Sequence, residues 1–127
     1  MLHKILTAFA VMASLAPAAY ANGAAQDQWV LASVDGQEPG YRATLDLSQP
    51  GKVSGMAPCN RYFGALTRDG TAFVMGPLGV TRMACPDLPA EAVFFELMAG
   101  VTTAEDVDGA LILSGGGHEL RFVPPVD

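Results

Sequence analysis

Residues 41–48, YRATLDLS, alternate without a break. Tyr41, Ala43, Leu45 and Leu47 fall on one face, and Arg42, Thr44, Asp46 and Ser48 on the other. Successive side chains of a strand point to opposite sides, so the stretch predicts a strand with one face buried and one in water. A strand cannot stand alone, and this one commits the chain to a sheet. Its neighbours in sequence supply partners. QWVLAS, 28–33, reads as a strand carrying the only tryptophan, Trp29, and DGQEPG, 35–40, reads as a loop. KVSGM, 52–56, reads as a return strand after the turn Gln49-Pro50-Gly51. RYFGALT (61–67) and TAFVM (71–75) read as a hairpin, with Gly70 able to take positive φ in the turn. VTRMAC, 80–85, is short and extended; ALILS (110–114) and HELRFV (118–123) are joined by three glycines.

LPAEAVFFELMA, 88–99, is the one clear helix. Asp87 is the expected N-cap, Pro89 fits the first turn and Gly100 the stop. Glu91 and Glu96 lie about 140° apart on the wheel, and apolar side chains take nearly all the rest. Such a helix is expected to be buried on more than one side, with both carboxylates escaping to the surface. The expected fold class is α+β. It is a small curved antiparallel sheet, or partly open barrel, of seven or eight strands with one helix packed on it or plugging it.

The first residues address the compartment. Lys4 precedes an apolar run, 5–19, and Ala19-Tyr20-Ala21 offers small residues where a signal peptidase reads. Residues 1–21 are therefore read as a cleaved signal peptide. The run is shorter than the roughly 20 residues of a spanning helix. No cysteine stands at the cleavage site for lipid attachment. Residues 22–27 are a flexible leader, and 28–127 form one domain, periplasmic or secreted. Losing Lys4 takes the net charge from −6 to −7. That balance argues against nucleic acid, which needs a basic footprint, and against anionic lipid. A monomer without a membrane span is expected.

Two cysteines in an exported chain imply one disulfide, Cys59–Cys85. Closing that loop stabilises the fold by about 3.5 kcal/mol if the effect is entropic. It also removes the thiolate that a cysteine nucleophile requires. The one histidine of the mature chain, His118, lies about sixty residues beyond Cys59 and reads as an exposed strand-end residue. No CxxC or HxxxH spacing suggests a metal. Glu105, Asp106 and Asp108 lack the spacing of a calcium loop. Glu91 and Glu96 are the remaining acid–base candidates, and a buried one would have a raised pKa. No catalytic residue, metal ligand or cofactor is assigned.

Four features stand in order: Trp29-Val30-Leu31; GMAPCNRYFG, Gly55 to Gly64; GPLGVTRMAC, Gly76 to Cys85; and a helix ending in Phe95-Glu96-Leu97 before the terminal Leu120-Arg121-Phe122 strand. Together they resemble the META domain, the family of the heat-shock protein HslJ, over residues 28–123. The resemblance implies curved antiparallel strands with one helix, and an envelope protein linked to stress response or antibiotic resistance. Trp29, Gly55, Asn60, Tyr62, Gly64, Thr81 and Met83 carry over with the two cysteines as fold determinants. Two positions depart from the family pattern. Pro58 replaces the glycine before the first cysteine, and Leu66 stands where an aromatic is common.

Read as chemistry, Asn60 suits a turn in which it bonds its own backbone. Gly64 suits a bulge or a close approach by another segment. Arg61 and Arg82 flank the crosslink and are the candidate interaction surface, for an anion or a partner. The expected function is non-catalytic: support of envelope stress or antibiotic tolerance by binding an envelope protein or small ligand. The alternative is a secreted protease inhibitor presenting 36–40 or 76–79, and third a hydrolase.

Overall fold

The computed structural model describes residues 27–126. The stretch read as a signal peptide, 1–21, and all but the last residue of the stretch read as a leader, 22–27, lie outside the described residues. Asp27, that last residue, is tied in: its carbonyl accepts the Leu47 N–H at 2.8 Å.

The described residues form nine strands and one helix: β1 (Gln28–Val34), β2 (Thr44–Asp46), β3 (Lys52–Met56), β4 (Arg61–Asp69), β5 (Ala72–Met75), β6 (Gly79–Val80), α1 (Leu88–Ala99), β7 (Thr103–Val107), β8 (Ala110–Gly115) and β9 (His118–Val123). The sheet order is β3-β2-β1-β9-β8-β7-β5-β4, and β4 pairs back with β3. Every pairing is antiparallel. The sheet is therefore a closed barrel of eight strands, with β6 as a two-residue addition to β4. Closure goes beyond the partly open barrel that the strand count allowed. It depends on the length of β4. Residues 61–65 pair with β3 and residues 66–69 with β5, so one strand joins both ends of the sheet. Closure removes the unpaired edges that invite association.

The alternation of 41–48 holds, with Ala43 and Leu45 buried, but only 44–46 enter the ladder. β2 meets β3 at the single register pair Asp46↔Ser54. Beyond it side chains replace the ladder. The Met56 N–H donates to Thr44 Oγ1 at 2.9 Å, and the Tyr62 hydroxyl donates to the Thr44 carbonyl at 2.6 Å. VTRMAC also departs from a strand: only Val80 belongs to β6, and 81–85 carry no regular structure.

The interior is filled from all sides by Leu45, Val53, Tyr62, Phe73, Leu111, Leu113, Leu120 and Phe122, with Phe94 and Met98 of α1. Each such apolar side chain contributes roughly 1.5–3 kcal/mol over exposure. Trp29 and Leu31 line the same core, and the Trp29 indole N–H has no partner among the described residues. Leu66 is buried, so the position where the family often has an aromatic presents no surface.

The helix has the expected bounds but not the expected burial. One stripe is buried, Glu91, Phe94 and Met98, at the 3.6-residue spacing of a single face. Leu88 and Val93 face solvent. An apolar helix lying over a closed barrel has one partner layer, not two. Asp87 makes no side-chain cap bond. Gly100 is not a left-handed stop either; its φ is −86°. It is packed against the β8–β9 turn, where a Cβ on Gly115 would collide with the Gly100 carbonyl. No helix among the described residues is long and apolar enough to cross a membrane.

Candidate functional site

Of the signature residues, Asn60, Thr81, Met83 and the two cysteines converge on the loop joining β3 to β4. Residues 57–60 make that loop, closed by the Ala57 N–H to the Asn60 carbonyl at 2.7 Å. Two successive N–H groups inside it, those of Cys59 and Asn60, point at one oxygen of Glu91, at 2.8 and 2.6 Å. Successive N–H groups in a turn form a concavity that binds an anion. Here the anion is internal. Pro58 fits because the N–H it lacks is not among the two that the carboxylate uses.

Asn60 completes the arrangement. Its Nδ2 donates to the other Glu91 oxygen at 2.8 Å and to the Met83 carbonyl at 3.3 Å. Its Oδ1 accepts the Met83 N–H at 2.5 Å and the Thr81 hydroxyl at 3.1 Å. The side-chain amide thus pairs with both backbone groups of Met83, as a neighbouring strand would. That is why 81–85 lie beside the loop without joining the ladder. It also corrects the expectation that Asn60 bonds its own turn: the capacity is used across 21 to 31 residues of sequence. Thr81 adds a second rung, its hydroxyl accepting the Arg61 N–H at 3.0 Å and its N–H reaching the Arg61 carbonyl at 3.0 Å.

The disulfide Cys59–Cys85 is formed, with the Cα atoms 6.3 Å apart, inside the usual range. It ties the same loop to the residues just before α1.

Glu91 was expected at the surface and is 5% exposed; Glu96 is exposed as expected. Burial by itself pushes the Glu91 carboxyl up. The hydrogen bonds from the Asn60 side chain, the Asn60 N–H and the Cys59 N–H outweigh it and hold the group below its ordinary value. A buried glutamate was expected to titrate high, so the direction is reversed: donors in contact with the charge matter more here than lost solvent.

Tyr62 is fully buried, and burial, with the Asp46 charge behind it, raises its phenol well above the ordinary range. Its ring packs on Phe94 and Phe95, with centroids 5.8 and 5.7 Å away. Gly55 makes room for it: a Cβ there would collide with the Thr44 carbonyl and lie 2.7 Å from the Tyr62 hydroxyl oxygen. Gly64 admits a close approach, since a Cβ there would lie 2.9 Å from Leu78 and 3.1 Å from the Pro77 carbonyl. Met83 serves through its backbone and is itself 60% exposed.

Arg61 and Arg82 are both exposed but line different hollows. Arg61 borders one with Arg42 and Asp46, and Arg82 another with Thr81 and Leu88. His118 is exposed at the start of β9, and its ring nitrogen lies 2.7 Å from Asp35. Glu105 and Asp106 lie on β7, and Asp108 is in the turn after it. Thr44 is the residue that sequence reasoning passed over, and nothing in the sequence marked it. Glu91 was singled out with Glu96 as a carboxylate on a mostly apolar helix, but not as the partner of this loop.

Two solved structures share this architecture. An NMR structure of a protein from Burkholderia xenovorans has a TM-score of 0.63 at 23% identity, covering 92% of this chain and 97% of that one. A second NMR structure has a TM-score of 0.62 at 20% identity, covering 78% of this chain and 89% of the other. At those identities the likeness is one of fold. No curated protein matches the chain. The META domain family model matches residues 22–127. With that match over the signature and the barrel that the signature residues hold together, the chain belongs to the META domain family.

Proposed function

We propose that this chain is a non-catalytic module of the cell envelope, periplasmic or secreted, that supports stress or antibiotic tolerance by binding a protein or small ligand. One observation carries the reading: the polar side chains that the signature gathers are consumed by the fold. Asn60 makes its bonds to Glu91, Met83 and Thr81, and Glu91 is occupied by three donors. Tyr62 is bonded to Thr44, and both cysteines are oxidised. Catalysis needs a group free to take or give a proton, or to attack. A binding module needs a rigid frame and a surface, which a closed, crosslinked barrel provides. The apolar start of the chain and the disulfide support export. The inhibitor alternative keeps only the 36–40 loop, because Pro77, Leu78 and Gly79 pack closely on Gly64 and Phe63 of β4.

The test is photo-crosslinking in the intact envelope, with the crosslinker at exposed positions and with Arg61 and Arg82 intact or replaced. A discrete adduct is expected. No adduct at any surface position, or turnover of a substrate by the purified domain, overturns the reading.

A further inference from the structure

We infer that the outer face of β2, β3 and β4 is a binding site for a neutral saccharide, with Phe63 as its stacking platform. The inference deepens the binding reading above and rests on it. Asp46, Ser54, Phe63 and Gly79 are successive cross-strand partners, so they run in one row across β2, β3, β4 and β6. Phe63 stands on the outside of the barrel and is 52% exposed. A phenyl ring in water is ordinarily mobile, but this one is seated. A Cβ on Gly79 would lie 2.6 and 2.8 Å from two ring carbons, so the ring rests on bare backbone at that position. The glycine makes the seat.

Beside the ring is a hollow of about 460 Å³, within the size range of small-molecule sites. Its polar side chains are Asp46, Ser48, Gln49, Lys52 and Ser54. Asp46 spends one oxygen on the Ser48 N–H, at 2.8 Å. The other oxygen has no partner among the described residues, and Lys52 forms no ion pair among them.

This chemistry selects a class of ligand. One carboxylate and one ammonium leave the hollow without net charge, so neither an anion nor a cation is favoured. An apolar ligand would desolvate both charges without pairing them. A sugar ring offers what the site lacks. Its C–H face is complementary to the negative face of an aromatic ring. Its hydroxyls both donate and accept, matching a carboxylate, an ammonium, two hydroxyls and an amide.

The test uses the mature domain and amide chemical shifts. The probes are N,N′,N″-triacetylchitotriose and maltotriose, with adenosine as a flat aromatic control. Saturable shifts confined to residues 46–54 and 63–65 are expected with at least one trisaccharide. Phe63→Ala should weaken binding at least about tenfold and Phe63→Trp should preserve it, because stacking needs a ring face. Gly79→Ala should displace the ring and weaken binding several-fold, while amide shifts elsewhere stay put. Three results overturn the inference: no shift with either trisaccharide to about 20 mM, well above a millimolar Kd; shifts that survive Phe63→Ala; or adenosine binding alone. The two readings fail separately. Release of a shorter sugar would overturn the non-catalytic reading and leave this site standing. Absence of saccharide binding would overturn this site and leave the envelope crosslinking result untouched.

Discussion

Glu91→Gln isolates the charge at the centre of the signature, because it keeps the shape of the side chain. The carboxylate accepts from two backbone N–H groups through one oxygen and from Asn60 Nδ2 through the other. In the variant the amide oxygen can keep the first two, now as neutral bonds worth about 1 kcal/mol less each. The third becomes two NH₂ groups face to face, costing about 1–2 kcal/mol. Relief of a buried charge returns part of this. The net loss is about 2–3 kcal/mol. For a chain of this size that moves the urea midpoint down by about 2 M at pH 7. The pH dependence identifies the cause. The folded pKa of Glu91 lies below its ordinary 4.5, so its contribution is whole above that value and is lost as pH falls through the folded one. The gap between wild type and variant should therefore be full at pH 7 and close toward pH 3. Other carboxylates cancel in the difference. A gap under about 0.5 kcal/mol at pH 7, or one that is constant to pH 3, refutes the reasoning.

The chain from residue 22 onward, denatured and unreduced, should titrate no free thiol, and reduction should cost about 3.5 kcal/mol in urea melts; two free thiols would reverse the assignment. Gly55→Ala should destabilise by about 1–3 kcal/mol through its collision with Thr44 and Tyr62, and the Tyr62→Phe background should relieve part of that cost. Additive effects of the two changes would show that the contact is not shared. The hydrogen bond from His118, then that from the Glu119 N–H, holds the Asp35 carboxyl below its ordinary 3.8. An NMR titration of His118→Ala should find it moved back up, and an unchanged value would remove His118 as the cause.

Most of the strands were legible because burial on one face writes itself into sequence at a period of two; β7, with its last three residues exposed, was not. Tyr41 to Ser48, the hairpin around Gly70 and the β8–β9 pair all follow from local pattern and turn chemistry. The disulfide was legible from two cysteines in a chain whose first residues read as exported. The helix bounds were also readable, but its burial was not. Leu88 and Val93 are apolar and exposed, and composition does not say whether one layer or two will cover a helix.

The site was legible as a set of residues and misread as chemistry. Asn60 looked like a turn residue because its short-range bonds are the ones a sequence can suggest. Its partners are Thr81, Met83 and Glu91, which only the closed barrel brings alongside. Glu91 looked like a surface charge because nothing near it in sequence is a visible partner for a carboxylate on a mostly apolar helix. Its partners are two backbone N–H groups, which leave no mark in sequence, and the side chain of Asn60, 31 residues away along the chain. Local periodicity and composition, then, determined most of the strands, the helix bounds and the crosslink, and the signature motifs carried the resemblance to the family. Tertiary structure decided barrel closure, the buried face of the helix and the ionisation of Glu91, since each depends on groups set side by side by contacts far apart in the chain.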